Sequence, residues 1–169
     1  MEHWKPEECV PAERPKRRSL RVGRTRVGKG VFAGRSYPNC AVLGEIRGEV
    51  IDDTNYGSDY CFDIGDGLLL EPIAPFRFVN HSCEPNCEFD YLECSDEPGD
   101  EPRKRVYLFA LRNIKQGEEL TIDYNWAAAS AIPCRCQAPS CRGWVVSRDS
   151  LDELNESQGT SRLPDATSA

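Results

Sequence analysis

Three cysteines within eight residues set the tightest condition on this chain: Cys134-x-Cys136-x4-Cys141. The surrounding residues, 133–143, hold no side chain large and apolar enough to build a core. Structural zinc takes four Cys or His ligands in a tetrahedron, and exposed unligated thiols in a cluster are reactive. The segment therefore supplies three of four metal ligands. The fourth has to come from elsewhere, and Cys83 and Cys87 both qualify; spacing does not choose between them. The competing reading, three unrelated reduced thiols in a loop, leaves the clustering unexplained.

The second dense stretch is Arg77-Phe-Val-Asn-His-Ser-Cys-Glu-Pro-Asn-Cys87. It holds two thiols, two asparagines, a serine and His81, one of only two histidines in the chain. Phe78 and Val79 lead in as an apolar anchor, and Pro85 stops a helix from running through. A solvated loop has no use for that anchor, and a core strand does not tolerate Asn-His-Ser. The stretch is expected to be a partly buried turn whose polar groups face a ligand, a metal or backbone. Buried polar groups need partners, so other segments have to supply them.

Net charge is −7. An acidic chain is a poor candidate for unaided nucleic-acid binding, which relies on Lys/Arg contacts to phosphate. It suits a cationic partner or a Lys/Arg-rich substrate. The basic run at 14–26 is the exception and is expected to be a solvated arm rather than a nucleic-acid contact. No apolar run reaches about 18 residues, so no transmembrane helix and no membrane partner are expected. The first eight residues lack an apolar signal core. An intracellular protein is expected, cytoplasmic or, in a eukaryote, nuclear or chromatin-associated, and monomeric. Nine cysteines then read as thiols or ligands rather than a disulfide framework. Residues 1–18 and 148–169 are mostly charge, Pro, Ser and Asp, so a mobile N-terminal arm and a disordered C-terminal tail are expected around one domain.

Along the chain, 20–31 alternates apolar and charged residues, which predicts a strand and then a turn at Gly28-Lys29-Gly30. Segments over 31–51, 60–64 and 68–70 predict further short strands. Another is expected over 87–92, followed by an acidic loop at 94–104. The run at 105–112 is apolar from Val106 through Leu111, the mark of a strand buried on both faces. A turn at 113–117 and a last strand at 118–126 complete the pattern. No helical period persists beyond about two turns, so the fold class is mainly β.

Together these stretches resemble the SET-domain protein lysine methyltransferases with a post-SET zinc segment. Arg77-Phe-Val-Asn-His-Ser-Cys-Glu-Pro-Asn86 is similar to that family's Arg-Phe-x-Asn-His-Ser-Cys-x-Pro-Asn. Gly117-Glu-Glu-Leu-Thr-Ile-Asp-Tyr124 is similar to its Gly-Glu-Glu-Leu-Thr-x-Asp-Tyr, and Cys134 to Cys141 to its Cys-x-Cys-x4-Cys. Gly28-Lys-Gly-Val-Phe-Ala33 and Gly44-Glu-Ile-Arg-Gly-Glu-Val-Ile51 resemble its first strands. The five features follow the family's order across residues 20–147.

The resemblance implies small curved β-sheets around a pseudoknot, where the 77–86 and 118–124 stretches thread past each other. A SET domain would occupy 19–126 and a short zinc-binding post-SET segment 127–147. It implies an enzyme that moves a methyl group from S-adenosylmethionine to a lysine amine of a histone or another lysine-rich protein. By position, Lys29 and Gly30 would meet that cofactor through backbone, and Asn80 and His81 would hold its polar and adenine ends. Tyr124 would be the catalytic tyrosine beside the methyl group, and Tyr60 the second tyrosine of the lysine channel. Cys83, rather than Cys87, would complete a Zn2+ site with Cys134, Cys136 and Cys141. Trp144 would cover the adenine or the channel. Ile122 stands where the family usually carries Phe or Tyr; without a hydroxyl to hold a water there, higher methylation states are expected. The family's pre-SET cysteine cluster has no counterpart, since residues 1–20 hold only Cys9. Two competing readings remain: a catalytically silent SET module that binds proteins, and a thiol hydrolase built on His81 and Cys83. A two-residue spacing on one turn suits a nucleophile–base pair poorly.

Overall fold

The computed structural model describes residues 19–53, 55–94 and 103–159. The expected N-terminal arm, most of the acidic loop at 94–104 and residues 160–169 lie outside the described residues. The chain divides into two compact units. One takes the described residues through Asn80 together with Pro85–Ile122; the other takes His81–Glu84 and the residues from Asp123 on.

Three small sheets build the first unit. Alternation folds β1 (Leu20–Thr25) back on β2 (Gly28–Ala33), with Leu20 opposite Ala33 and Thr25 opposite Gly28. The turn is Arg26-Val27, and the Val27 N–H donates to Thr25 Oγ1 (3.2 Å). The turn expected at Gly28-Lys29-Gly30 is therefore corrected: those residues open a strand. Gly28, at φ +127°, takes up the backbone twist at the turn's exit. Gly30 serves space instead, since a Cβ there would collide with the side chains of Thr25 and Glu119 and crowd that of Asn80. β7 is the two-residue strand Asn80–His81, and β10 (Glu119–Ile122) joins the far edge of β2 with Leu120 opposite Val31. The sheet order is β1-β2-β10-β7.

In the second sheet, β9 (Arg103–Ala110) lies between β3 (Val42–Ile46) and β8 (Cys87–Cys94). Val106, Leu108 and Ala110 on one face and Phe109 on the other are buried, which accounts for most of the apolar run, while Leu111 just past the strand is 38% exposed. The third sheet places β6 (Leu68–Pro72) between β4 (Gly48–Ile51) and β5 (Phe62–Gly65). The core joins Val31, Leu43, Ile46, Leu70, Leu108, Ile114 and Leu120. Val79 is part of it and Phe78 packs against it, as their anchoring role requires.

Among the described residues, the second unit's regular structure beyond His81 is a 3-10 turn, Ala128–Ser130, and a helix, α1 (Arg148–Gly159). The strand expected over 118–126 stops at Ile122. Beyond it, the Asn125 N–H donates to Asp123 Oδ1 (3.2 Å) and Asn125 turns to φ +50°, an Asx-type bend that leaves the sheet direction. The disordered tail expected at 148–169 is corrected over 148–159, which is α1. Ser147 caps it by accepting the Ser150 N–H on Oγ (3.0 Å). Asp149 sits in the first turn, where the helix dipole favours negative charge. Leu151 and Leu154, three residues apart, are both half-buried.

Candidate functional site

The polar turn at 77–87 finds its partners in several segments. In the first unit, Asn80 Nδ2 donates to Lys29 O (2.9 Å) and to Glu119 Oε1 (2.8 Å). Both amide protons are thereby committed, and Asn80 has its Oδ1 to offer as an acceptor. Gly30 is buried, and the absence of a side chain there lets Thr25, Glu119 and Asn80 close over the strand. Lys29 extends its ammonium over the Phe78 ring, 4.7 Å from the centroid. Asn86 is 2% exposed and fully engaged. Its Oδ1 accepts the Thr121 N–H (2.9 Å), and its Nδ2 donates to Glu119 O (2.7 Å) and Glu118 Oε1 (3.2 Å). Asn86 thus ties the end of the turn to β10. Tyr60 is 46% exposed, with the Arg77 guanidinium carbon 4.4 Å from its ring centroid. Arg77 also lies 3.6 Å from Glu71 Oε1.

The second unit gathers His81, Cys83, Tyr124 and the cysteine segment. Cys83, Cys134, Cys136 and Cys141 bring their sulfurs within 4.8 Å of one another. Cys83 Sγ lies 3.7 Å from that of Cys134 and 3.9 Å from that of Cys141. A tetrahedral Zn–S shell with bonds of about 2.3 Å sets its sulfurs about 3.8 Å apart, so the spacing fits that ion. Each sulfur also accepts a backbone N–H: Cys83 from Arg142, Cys134 from Cys136, Cys136 from Cys83 and Cys141 from Gly143. Such a donor set suits thiolates, the form a metal binds. Burial pushes the Cys83 and Cys134 thiols up. Burial works against Cys136 too, but N–H donors from Cys83 and Ala138 outweigh it and bring that thiol down to about 6. Cys87 stands apart from this group: it is fully buried in the first unit's core, and desolvation pushes its thiol up to about 12.

Beside the sulfurs lies a second set of contacts. The Tyr124 N–H donates to His81 Nδ1 (3.2 Å), and His81 Nε2 is 3.4 Å from Cys83 Sγ. The His81 and Tyr124 rings are 5.5 Å apart, and Trp126 lies 5.3 Å beyond Tyr124. Arg142 grips Asp123 with both terminal nitrogens (2.8 and 2.7 Å) and donates to Val146 O (2.8 Å). Burial pushes His81 below its ordinary value; the Asp123 carboxylate pulls the other way and Arg142 pushes it further down. Nδ1, accepting the Tyr124 N–H, carries no proton in this arrangement.

Of the residues marked from sequence, Lys29, Gly30 and Asn80 meet in the first unit. His81, Tyr124, Cys83, Cys134, Cys136 and Cys141 meet in the second. Tyr60 is paired with Arg77, and Trp144 bridges Pro133. Three functional side chains carried no role in the sequence reading: Asn86, Asp123 and Arg142. Asn86 had a visible signal, an asparagine directly before a core strand.

A family model for the SET domain matches residues 28–125. The histone-lysine N-methyltransferase ash1 of Drosophila melanogaster is 40% identical over 101 residues, which are 56% of this chain and 4% of that protein. The H3 lysine-4 specific histone-lysine N-methyltransferase of Schizosaccharomyces pombe is 31% identical over 151 residues, 79% of this chain and 16% of that one. The chain therefore spans less than a fifth of the length of either relative. Among solved structures, KRYPTONITE in complex with mCHG DNA and SAH is 31% identical with a TM-score of 0.65, over 76% of this chain and 29% of that chain. Arabidopsis thaliana SUVH6 in complex with SAM is 29% identical with a TM-score of 0.63, over 75% of this chain and 32% of that chain.

Proposed function

This chain belongs to the SET-domain family, and from that premise we propose that it transfers a methyl group from S-adenosylmethionine to a lysine side chain of a protein. The observation that carries the reading is the meeting of His81, Tyr124 and the four-cysteine cluster in one unit. The relatives' histone-lysine methyltransferase names support the reaction, and they support chromatin as the place of action in a eukaryotic host. A structure of KRYPTONITE with an H3(1-15) peptide supports a lysine-containing peptide as substrate. Residues 48–72 carry seven Asp/Glu and no Lys or Arg, which suits a cationic substrate.

Bound S-adenosylmethionine supplies a methyl group on a sulfonium, for in-line transfer to a neutral amine. Asn80 would offer Oδ1 to that cofactor's amino group, and the exposed Lys29 would approach it through its backbone. His81 holds the backbone at Tyr124, so the tyrosine ring keeps its angle. Tyr124 would orient the lysine nitrogen and polarise the methyl through weak C–H···O contact. Tyr60 would be the second tyrosine of the lysine channel, as the family resemblance implies. Lysine is protonated in water at pH 7 and must lose that proton first. The Arg77 guanidinium over Tyr60 would favour the neutral form of an amine bound there by like-charge repulsion. Proton release to water would then suffice. Cys83, Cys134, Cys136 and Cys141 hold Zn2+, whose ligation energy orders residues 127–147.

Labelled cofactor and a lysine-peptide array test the reading. Transfer to lysine, abolished by Tyr124→Phe with cofactor binding retained, is the expected result. Binding of cofactor with no transfer to any peptide or to histone would instead describe a silent SET module.

A further inference from the structure

We propose that His81 is a positioning residue that couples metal occupancy of the cysteine site to the backbone of Tyr124. The inference rests on the zinc reading of that site. A backbone N–H can only donate, so His81 Nδ1, 3.2 Å from Tyr124 N, is an acceptor. In a neutral imidazole the other nitrogen then carries the proton. That nitrogen, Nε2, lies 3.4 Å from Cys83 Sγ, a normal span for N–H···S. The side chain is 5% exposed, so bulk water is no alternative acceptor.

A metal-bound thiolate is a strong acceptor for that Nε2–H. It fixes the tautomer, and the fixed tautomer leaves Nδ1 free to hold Tyr124. Asp123 provides the competing arrangement. Its Oδ1 lies 3.5 Å from His81 Nδ1, while both its oxygens are gripped by Arg142. Arg142 thereby keeps Asp123 from drawing a proton to Nδ1, and its own backbone N–H donates to Cys83 Sγ (3.4 Å). His81 thus bridges a ligand sulfur and the Tyr124 backbone through its two ring nitrogens.

The test uses the full chain with cadmium-113 replacing zinc and nitrogen-15 in its two histidines; a His3→Gln variant assigns the His81 signals. The expected result is an Nε2-protonated neutral ring at His81 with scalar coupling from its Hε2 to cadmium. An Nδ1-protonated ring in the loaded protein overturns the proposal. Two loaded variants separate the links even if the metal-free form loses its order. His81→Asn places a carbonyl near the Nδ1 position; His81→Gln places an amide donor near Nε2. Release of metal to a chelator should quicken about tenfold in His81→Asn, in line with the loss of a ligand-orienting contact, with the Tyr124 amide shift retained. His81→Gln should show the reverse. If both variants change both readouts alike, His81 is merely structural and the coupling is refuted. None of these readouts needs methyl transfer. A failed transfer assay with these results intact rejects the proposed activity alone, and loss of four-cysteine cadmium ligation rejects the metal reading with the inference.

Discussion

Replacing Asn86 by alanine should cost more stability than any other single polar substitution in the first unit. The side chain is 2% exposed and serves two backbone groups of β10: it accepts the Thr121 N–H at 2.9 Å and donates to Glu119 O at 2.7 Å. Glu118 keeps Arg112 when Asn86 is gone, so its loss adds little. Each of the two orphaned backbone groups costs about 1–3 kcal/mol. The total is about 2–6 kcal/mol, nearer the lower figure if a water enters the vacated space. For a domain of this size that corresponds to a fall in Tm on the order of 5–20 °C. Urea denaturation followed by far-UV circular dichroism measures it, since the signal follows the strands. Asn86→Asp sharpens the test. It preserves the acceptor for Thr121, loses the donor to Glu119 O, and sets a second carboxylate beside Glu118. It should be no more stable than Asn86→Ala. A loss below about 1 kcal/mol in the alanine variant, or an Asp variant close to the parent protein, would refute the assignment of Asn86 as the bond between turn and strand.

Chelation of the cysteine site should abolish methyl transfer while leaving the β signal of residues 20–122, because ligation supplies the order of the post-SET segment; activity that survives complete metal removal contradicts this. Ile122→Tyr should shift the product toward monomethyl-lysine by adding bulk and a hydroxyl at the end of β10, and an unchanged methyl distribution by mass spectrometry counts against it. Glu118 supplies a pH dependence. Burial works against its carboxylate, but Arg112, the Lys115 N–H and Asn86 together hold it below its ordinary 4.5. A depressed value means the contribution is complete above about 4.5 and is lost as pH falls through the lower folded-state value. The urea-midpoint gap between the parent protein and Glu118→Gln should therefore stay constant from about pH 7 to 5 and close below that. A gap undiminished at pH 3 would show that charge is not what Glu118 contributes.

Most of the strand content was legible because period-2 patterning is local. The β9 run announced burial on both faces; Val106, Leu108 and Ala110 on one face and Phe109 on the other are buried, but Leu111 is 38% exposed. The misses were cases where one side chain overrules the pattern. Thr25 accepts the Val27 N–H and moves the hairpin turn to 26–27, ahead of the glycines that suggested it. Asp123 accepts the Asn125 N–H and ends β10 although the apolar and aromatic residues continue. Ser147 caps a helix whose charged, serine-rich sequence resembles a solvated tail. In each case a short polar side chain competes for a backbone donor, which composition and periodicity do not register.

The site divides along the same line. The cysteines were readable because thiols at that spacing have few other uses, and the four sulfurs do converge. Arg142 was not, since an arginine beside a cysteine looks like any surface charge. Its role exists only once Cys141 is anchored, which carries the next side chain to Asp123 and Val146. The stretch at 77–87 shows the complementary case. Its residues are adjacent in sequence, yet several distant segments answer them: Asn80 by β2 and β10, His81 by the 123–124 bend, Cys83 by 134–141, Asn86 by β10. Sequence reading correctly demanded partners for every polar group there. It could not say which, because a hydrogen bond between residues 50 apart leaves no periodic trace. The demand itself was the physical content: a run of polar side chains anchored by Phe78 and Val79 is tolerable only where other segments supply a partner for each.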